Sequence, residues 1–147
     1  MTQPPAPARR KSIARSALLC AGLLVATSTQ ALTPAELFAK VSPSIWKVVA
    51  LDADGLPLGQ GSAVVVSPHT LVTNCHVLAK AKRVLLKRDG PGLEARLSAW
   101  DVQRDLCQLS AKGVDAPAVP LGETARLAIG QPAYAIGHPR GLDLTMS

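Results

Sequence analysis

The sequence has few aromatic side chains and no apolar run long enough to cross a membrane. Only four aromatic residues occur among 147, although 48% of the residues are hydrophobic. A core must therefore be built from Val, Leu, Ile and Ala, and the apolar content excludes an intrinsically disordered chain. The apolar stretch Ala17–Ala26 is only ten residues long. It is too short to span a hydrocarbon layer of about 30 Å.

Metal-binding patterns are also missing, because the sequence contains neither C-x-x-C nor H-x-x-x-H. The stretch LVTNCHVL places Cys75 and His76 side by side at the end of an apolar run. We predict a strand there, in which neighbouring side chains point to opposite faces, so the two residues do not share a metal ion. His69 and His138 stand in predicted turns. The sequence thus implies no metal and no cofactor.

Residues 1–31 have the layout of a secretory signal peptide. A basic segment with Arg9, Arg10 and Lys11 precedes Ala17–Ala26, and a polar stretch then ends at Ala31. We predict cleavage after Ala31, with Ser28 as the second choice, and export to the periplasm or the medium. A retained membrane anchor is the alternative.

Removing this segment changes the charge balance. It carries four basic residues and no acidic one, so the formal charge falls from +6 to +2. The basic character is then largely a targeting feature, and we predict no nucleic-acid partner. The cluster Lys80–Arg88 is interpreted as solvated strand edges, with a polyanion site as the alternative.

The remaining chain begins with a short helix and continues as strands. Thr33 is the predicted N-cap, Pro34 the first helical residue and Glu36 the third position of a capping box, and Ser42-Pro43 ends the helix. Six or seven short apolar runs follow at a spacing of about 8–12 residues, separated by turn residues. This pattern predicts an all-β antiparallel barrel or sandwich.

A catalytic histidine needs a carboxylate that orients its ring. Asp105 is the best candidate for His76, because it immediately precedes the apolar strand DLCQL; Asp101 is the rival but ends the preceding strand. A histidine packed in the core, with an ordinary aspartate at a strand end, is the structural alternative.

Four segments in order resemble the chymotrypsin-fold serine proteases, nearest to the exported HtrA/Deg type. They are TPAELFAKVSPSIWKV, GQGSAVVVSPHTLVTNCHVL, WDVQRDLCQLS and AYAIGHPRGLDLTMS. The resemblance implies a six-stranded antiparallel barrel over residues 32–127, the first of two barrels, and the start of a second barrel over residues 128–147. It implies that His76 is the general base and acid, that Asp105 orients it, and that the substrate is a protein or peptide.

The same resemblance brings the neighbours of the catalytic pair together. If His76 and Asp105 bond to each other, Cys75 and Cys107 lie close behind them, which implies a Cys75–Cys107 disulfide. A pair of buried free thiols is the alternative.

The nucleophile of this family is missing, because the sequence has no G-x-S-G-G stretch. The serines after the predicted signal peptide are not expected to lie beside an oxyanion hole. They are Ser42, Ser44, Ser62, Ser67, Ser98, Ser110 and Ser147. We therefore expect a serine endopeptidase of which these residues supply His and Asp but not Ser, and no peptidase activity from the 147 residues alone. A non-catalytic pseudoprotease or β-barrel binding module is the alternative.

Overall fold

The computed structural model describes residues 31–139 and 143–147, together with Thr2. The predicted signal peptide and its cleavage sites thus lie almost wholly outside the described residues. Leu32–Ser147 form one compact unit. Its helix and strands are α1 Pro34–Val41, β1 Ile45–Leu51, β2 Pro57–Ser67, β3 Thr70–Thr73, β4 Arg83–Lys87, β5 Leu93–Asp101, β6 Leu106–Ser110, β7 Ile136–Gly137 and β8 Thr145–Met146.

Strands β1 to β6 form a closed antiparallel barrel in the order β1–β2–β3–β6–β5–β4, and β4 pairs back with β1. The prediction of a six-stranded antiparallel barrel with one short N-terminal helix is confirmed. Because β3 and β6 are neighbours, the segments that follow β3 and precede β6 meet at one end of the barrel. Thr73, the last residue of β3, pairs with Cys107 of β6.

Aliphatic side chains from all six strands fill the barrel, as the shortage of aromatics requires. Val48, Leu71, Leu86 and Leu109 are completely buried. Each belongs to a different strand, so the core ties the whole barrel together. Burying a Leu or Val side chain of this kind contributes about 1.5–3 kcal/mol relative to leaving it in water.

Helix α1 begins and ends where the sequence predicts. The Thr33 side chain accepts a hydrogen bond from the Glu36 backbone N–H at 3.3 Å, and the Glu36 carboxylate accepts one from the Thr33 backbone N–H at 2.8 Å. This reciprocal pair satisfies two N–H groups that the first turn leaves without helical partners. After Val41 a 3₁₀ turn, Ser42–Ser44, leads into β1.

Strand β5 departs from the regular alternation of its sequence. Ala95 is buried, but Leu97 is 46% exposed, although strict alternation along a strand would place the two on the same face. The register with β6 shifts between Leu97 and Ala99, as in a β-bulge. The shift lies beyond Leu97, so it interrupts the pattern of period two in the second half of the strand and does not account for the exposure of Leu97 itself.

The chain after β6 is mostly irregular and exposed. It contains a 3₁₀ turn, Thr124–Arg126, and the two-stranded sheet of β7 and β8, in which Ile136 pairs with Met146. Three large apolar side chains in this stretch are highly exposed: Leu121, Leu127 and Ile129. Among the described residues, no helix is both long and apolar enough to cross a membrane.

Candidate active site

His76 lies just past the end of β3, in the 3₁₀ turn Cys75–Leu78. The expectation that Cys75 and His76 sit on a strand is wrong, because β3 ends at Thr73. The turn that follows carries the His76 ring to the end of the barrel, where 72% of its side chain is exposed. The Val77 side chain packs against Gly61 of β2, which anchors the turn to the barrel.

Asp105 occupies the tight connection between β5 and β6, in a left-handed backbone conformation with φ of 56°. Among residues with a side chain, Asp and Asn adopt this conformation more readily than most. The Asp105 N–H donates to the Val102 carbonyl at 3.3 Å, and its own carbonyl accepts from the Cys75 N–H at 3.3 Å. The connection before β6 is thereby joined to the turn after β3.

The Asp105 carboxylate uses both oxygens on His76. Oδ1 accepts from the His76 backbone N–H at 2.8 Å, and Oδ2 lies 2.5 Å from ring atom Nδ1. An ionised carboxylate is only an acceptor, so this contact favours the ring tautomer with the proton on Nδ1. Nε2 is then the nitrogen that can take a proton from another group.

The surroundings of Asp105 favour its charged form. Its pKa lies below the ordinary value of 3.8, chiefly because the His76 backbone N–H donates to it. The hydrogen bond with the His76 side chain lowers this pKa further, and the Asn74 amide is a smaller cause. Near neutral pH the pair therefore has an ionised carboxylate next to an imidazole, the arrangement that stabilises an imidazolium when the ring takes up a proton.

The two cysteines next to the pair are covalently joined. Cys75 and Cys107 form a disulfide, with Cα atoms 4.9 Å apart. Cys75 directly precedes His76, and Cys107 follows Asp105 by two residues, so the bond links the two segments that carry the pair. Cys107 is buried against the barrel.

Asp101, the rival carboxylate, is engaged elsewhere. Its Oδ2 binds the Arg104 guanidinium at 2.6 Å, and its Oδ1 accepts from the Arg104 backbone N–H at 3.1 Å. These bonds to Arg104 hold the pKa of Asp101 below its ordinary value. Of the two aspartates, the structure brings Asp105 to His76.

The other two histidines lie apart from this pair. His69 is in the turn between β2 and β3, where its carbonyl accepts from the Ala111 N–H at 3.0 Å. The His138 backbone N–H donates to Ser62 Oγ at 2.7 Å. Within the part of the chain that the structure describes, no three His, Cys, Asp or Glu side chains come together as metal ligands.

Asn74 is a site residue to which the sequence assigned no role. Its side-chain amide donates to both the carbonyl and the carboxylate of Asp105, at 3.1 and 3.2 Å. The two residues are 31 positions apart, so only the pairing of β3 with β6 reveals this contact.

An antiparallel barrel that holds a bonded His–Asp pair at one end is the arrangement of chymotrypsin-fold proteases. A family model described as the trypsin-like peptidase domain matches residues 61–147. The chain belongs to this family, and its relatives are serine proteases of the HtrA/Deg type.

Two curated relatives illustrate the match. The DegP-like periplasmic serine endoprotease of Pseudomonas putida is 34% identical over 87 residues, which cover 58% of this chain and 18% of the relative. The chloroplastic Protease Do-like 1 of Arabidopsis thaliana is 32% identical over 136 residues, covering 81% of this chain and 30% of the relative. The chain thus spans less than a third of either protein.

Solved structures agree on the fold. The HtrA-type protease AlgW, determined with a tripeptide, superposes with a TM-score of 0.70 at 29% identity, covering 78% of this chain and 38% of that one. The serine endoprotease of Yersinia pestis also gives a TM-score of 0.70, at 24% identity, over 80% of this chain and 43% of that one. At 24% identity, the similarity to the Yersinia pestis structure supports the fold alone.

Proposed function

We propose that this chain supplies the histidine and aspartate of a Ser-His-Asp triad to an exported serine endopeptidase. The observation that carries the proposal is the double contact of the Asp105 carboxylate with the backbone N–H and the ring Nδ1 of His76. Asp105 fixes the orientation and tautomer of the ring, and Nε2 is left to exchange the proton.

In the proposed reaction a serine hydroxyl attacks the carbonyl carbon of a peptide bond while His76 Nε2 takes its proton. The Asp105 carboxylate stabilises the resulting imidazolium without becoming protonated. His76 then gives the proton to the departing amine, which leaves an acyl-serine ester. A water molecule hydrolyses this ester by the same steps, with His76 again as base and then acid, and the serine is regenerated.

We propose that the serine lies outside these 147 residues, because the sequence contains no G-x-S-G-G stretch. Residues 32–127 would be the first barrel of the protease domain, and residues 128–147 the start of the second. The exposure of Leu121, Leu127 and Ile129 supports this division, since a second barrel would cover apolar side chains of this kind.

We further propose that the chain is exported to the periplasm or secreted, with residues 1–31 as its signal peptide. The layout of these residues supports export, and the Cys75–Cys107 disulfide is typical of oxidising compartments. The name of the Pseudomonas putida relative, which includes the word periplasmic, agrees with this location.

The first test is to sequence the coding DNA past Ser147. The proposal expects an in-frame G-x-S-G-G within roughly the next hundred codons. Casein cleavage would then be measured for the longer product, for its His76→Ala variant and for the 147-residue chain. We expect cleavage by the first alone, because loss of one triad member lowers turnover by orders of magnitude. Cleavage that survives His76→Ala would refute the proposal.

A further inference from the structure

The backbone of Asp105 needs support from its neighbours. A residue with a side chain at φ of 56° is uncommon, and such conformations persist where the surroundings determine them. The side chain of Asp105 is 40% exposed, so packing covers it only in part. Specific contacts must therefore hold the carboxylate toward His76.

Asn74 provides two of these contacts from one side chain. Its Nδ2 donates to the Asp105 carbonyl at 3.1 Å and to Asp105 Oδ2 at 3.2 Å. One amide group therefore connects the backbone of Asp105 to its own carboxylate. This bridge fixes how the carboxylate is turned relative to the backbone, and Oδ2 is the oxygen that meets the His76 ring.

The disulfide provides a third connection, next in sequence to Asn74. It bonds Cys75 to Cys107, and the Cys75 N–H also donates to the Asp105 carbonyl at 3.3 Å. The hydrogen bonds to Asp105 are partly exposed and compete with water, which reduces their net contribution to folding. The covalent bond does not compete with water, so it limits how far the turn after β3 can move from Asp105.

We propose that Asn74 and the Cys75–Cys107 disulfide are the positioning elements of the His76–Asp105 pair, and that the alignment of the pair therefore depends on the oxidised state. This inference rests on the proposed function. A dithiol reductant transfers two electrons and two protons to the disulfide. The reductant is oxidised to a disulfide, and Cys75 and Cys107 are left as thiols. His76 then loses alignment although no catalytic residue has changed.

The first arm of the test replaces Asn74. Imidazole ¹⁵N chemical shifts of His76, recorded where free imidazole is neutral, give the ratio of the Nδ1–H to the Nε2–H tautomer. We expect Asn74→Ala to lower this ratio about tenfold, because a carboxylate that can turn away loses much of its charge-assisted hydrogen bond with Nδ1–H. Gln108→Ala is the matched control, because the Gln108 amide bonds to Ser98 Oγ at 3.1 Å, and it should leave the ratio unchanged.

The second arm reduces the unaltered chain with dithiothreitol and repeats the measurement. We expect the ratio to fall, and the Cys75→Ala/Cys107→Ala chain to show the lower value with or without reductant. If Asn74→Ala does not fold, Asn74→Asp keeps its shape but replaces the donor by an acceptor, and it should also lower the ratio.

The outcomes separate this inference from the proposed function. If the unaltered oxidised chain shows no excess of the Nδ1–H tautomer, the proposed His–Asp pair itself is wrong. An excess that survives both Asn74→Ala and reduction would overturn only the positioning role. Unfolding of the whole barrel on reduction, seen by circular dichroism, would also overturn it, because the change at His76 would then follow from loss of the fold and not from loss of positioning.

Discussion

The Asp105 carboxylate binds His76 twice, with one oxygen on the backbone N–H at 2.8 Å and the other on ring Nδ1 at 2.5 Å. The bond to the backbone N–H fixes the position of the His76 backbone, and the contact with Nδ1 fixes the orientation of the imidazole ring. Together they leave the ring little freedom to rotate, although most of its side chain faces solvent. This double contact is the basis of the first two predictions.

Replacing Asp105 by Asn should reverse the tautomer of His76. The amide can donate to Nδ1, which then becomes an acceptor and leaves the proton on Nε2, the wrong nitrogen for a general base. Asn also tolerates the left-handed backbone, so the fold should remain. The ¹⁵N shifts of His76 measure the change.

In a longer protein that cleaves casein, Asp105→Asn should lower kcat by roughly 10⁴-fold. Asp101→Asn is the matched control, because Asp101 binds Arg104, and activity should stay near that of the unaltered protein. An equal loss in both variants would contradict the assignment of Asp105.

The stability of the domain should fall in acid partly because of Asp105. Its folded-state pKa lies below the ordinary value of 3.8, mainly through the His76 N–H. The contribution of the Asp105 carboxylate to the free energy of unfolding is therefore fully present above pH 3.8, and it is lost as the pH falls through the lower, folded-state pKa. Urea unfolding midpoints measured between about pH 2 and 5 should show a shallower decline for Asp105→Asn than for Gln108→Ala. Equal declines in the two variants would refute this contribution.

Removing the disulfide should lower the free energy of unfolding. The two cysteines are 32 positions apart, and a loop of this size corresponds to about 3–4 kcal/mol in the chain-entropy model. Urea denaturation of the Cys75→Ala/Cys107→Ala chain gives the value. Cys20→Ala, in the predicted signal peptide, is the control and should leave the free energy of unfolding unchanged. Thiol titration of the unreduced Cys20→Ala chain should find no free thiol, and two would contradict the bond.

Gly61 should not tolerate a side chain. A Cβ at this position would lie 2.6 Å from Val77 Cγ2, whereas at Gly59 in the same strand the nearest atom, the Val77 carbonyl oxygen, is 3.5 Å away. Gly61→Ala should therefore cost about 1–3 kcal/mol and displace the turn that carries His76, as overpacking does. Gly59→Ala should have a much smaller effect. Urea unfolding and the amide shift of His76 report the two consequences, and similar effects of both substitutions would contradict the packing.

The barrel core should depend on single aliphatic side chains. Leu71 is completely buried in β3, and Leu71→Ala should lower the free energy of unfolding by about 2–5 kcal/mol, since nearby side chains fill the cavity only in part. Leu127→Ala removes the same atoms from a side chain that is 70% exposed. The free energy of unfolding of this control should stay within about 0.5 kcal/mol of that of the unaltered chain. A small loss at Leu71 would show that its surroundings collapse into the space.

Local patterns in the sequence predict much of the fold. The capping box at Thr33 and Glu36 marks the start of α1, because its hydrogen bonds join residues three positions apart. Turn residues between apolar runs locate the strands of the barrel. The bulge in β5 is not predicted, since the shift between Leu97 and Ala99 depends on the pairing with β6, which no local pattern contains.

The site is less predictable than the fold. The resemblance to a protease family singles out His76 and Asp105 as a pair, but their residue types alone do not. The 3₁₀ turn at His76 and the left-handed backbone at Asp105 arise from contacts between segments about thirty residues apart. The role of Asn74 depends on the same contacts, so a pattern of spacing within one segment cannot reveal it.

The pairing of β3 with β6 also has a consequence for the order of events in folding. Strands β4 and β5 lie between them in sequence, so the His76–Asp105 contact closes a large loop and is expected to form late. A disulfide formed early would already hold the ends of that loop together and remove much of its entropic cost. If the disulfide forms before the barrel closes, the His76–Asp105 contact should therefore form sooner. The time at which the two cysteines are oxidised would then determine how soon a newly made chain reaches its folded state.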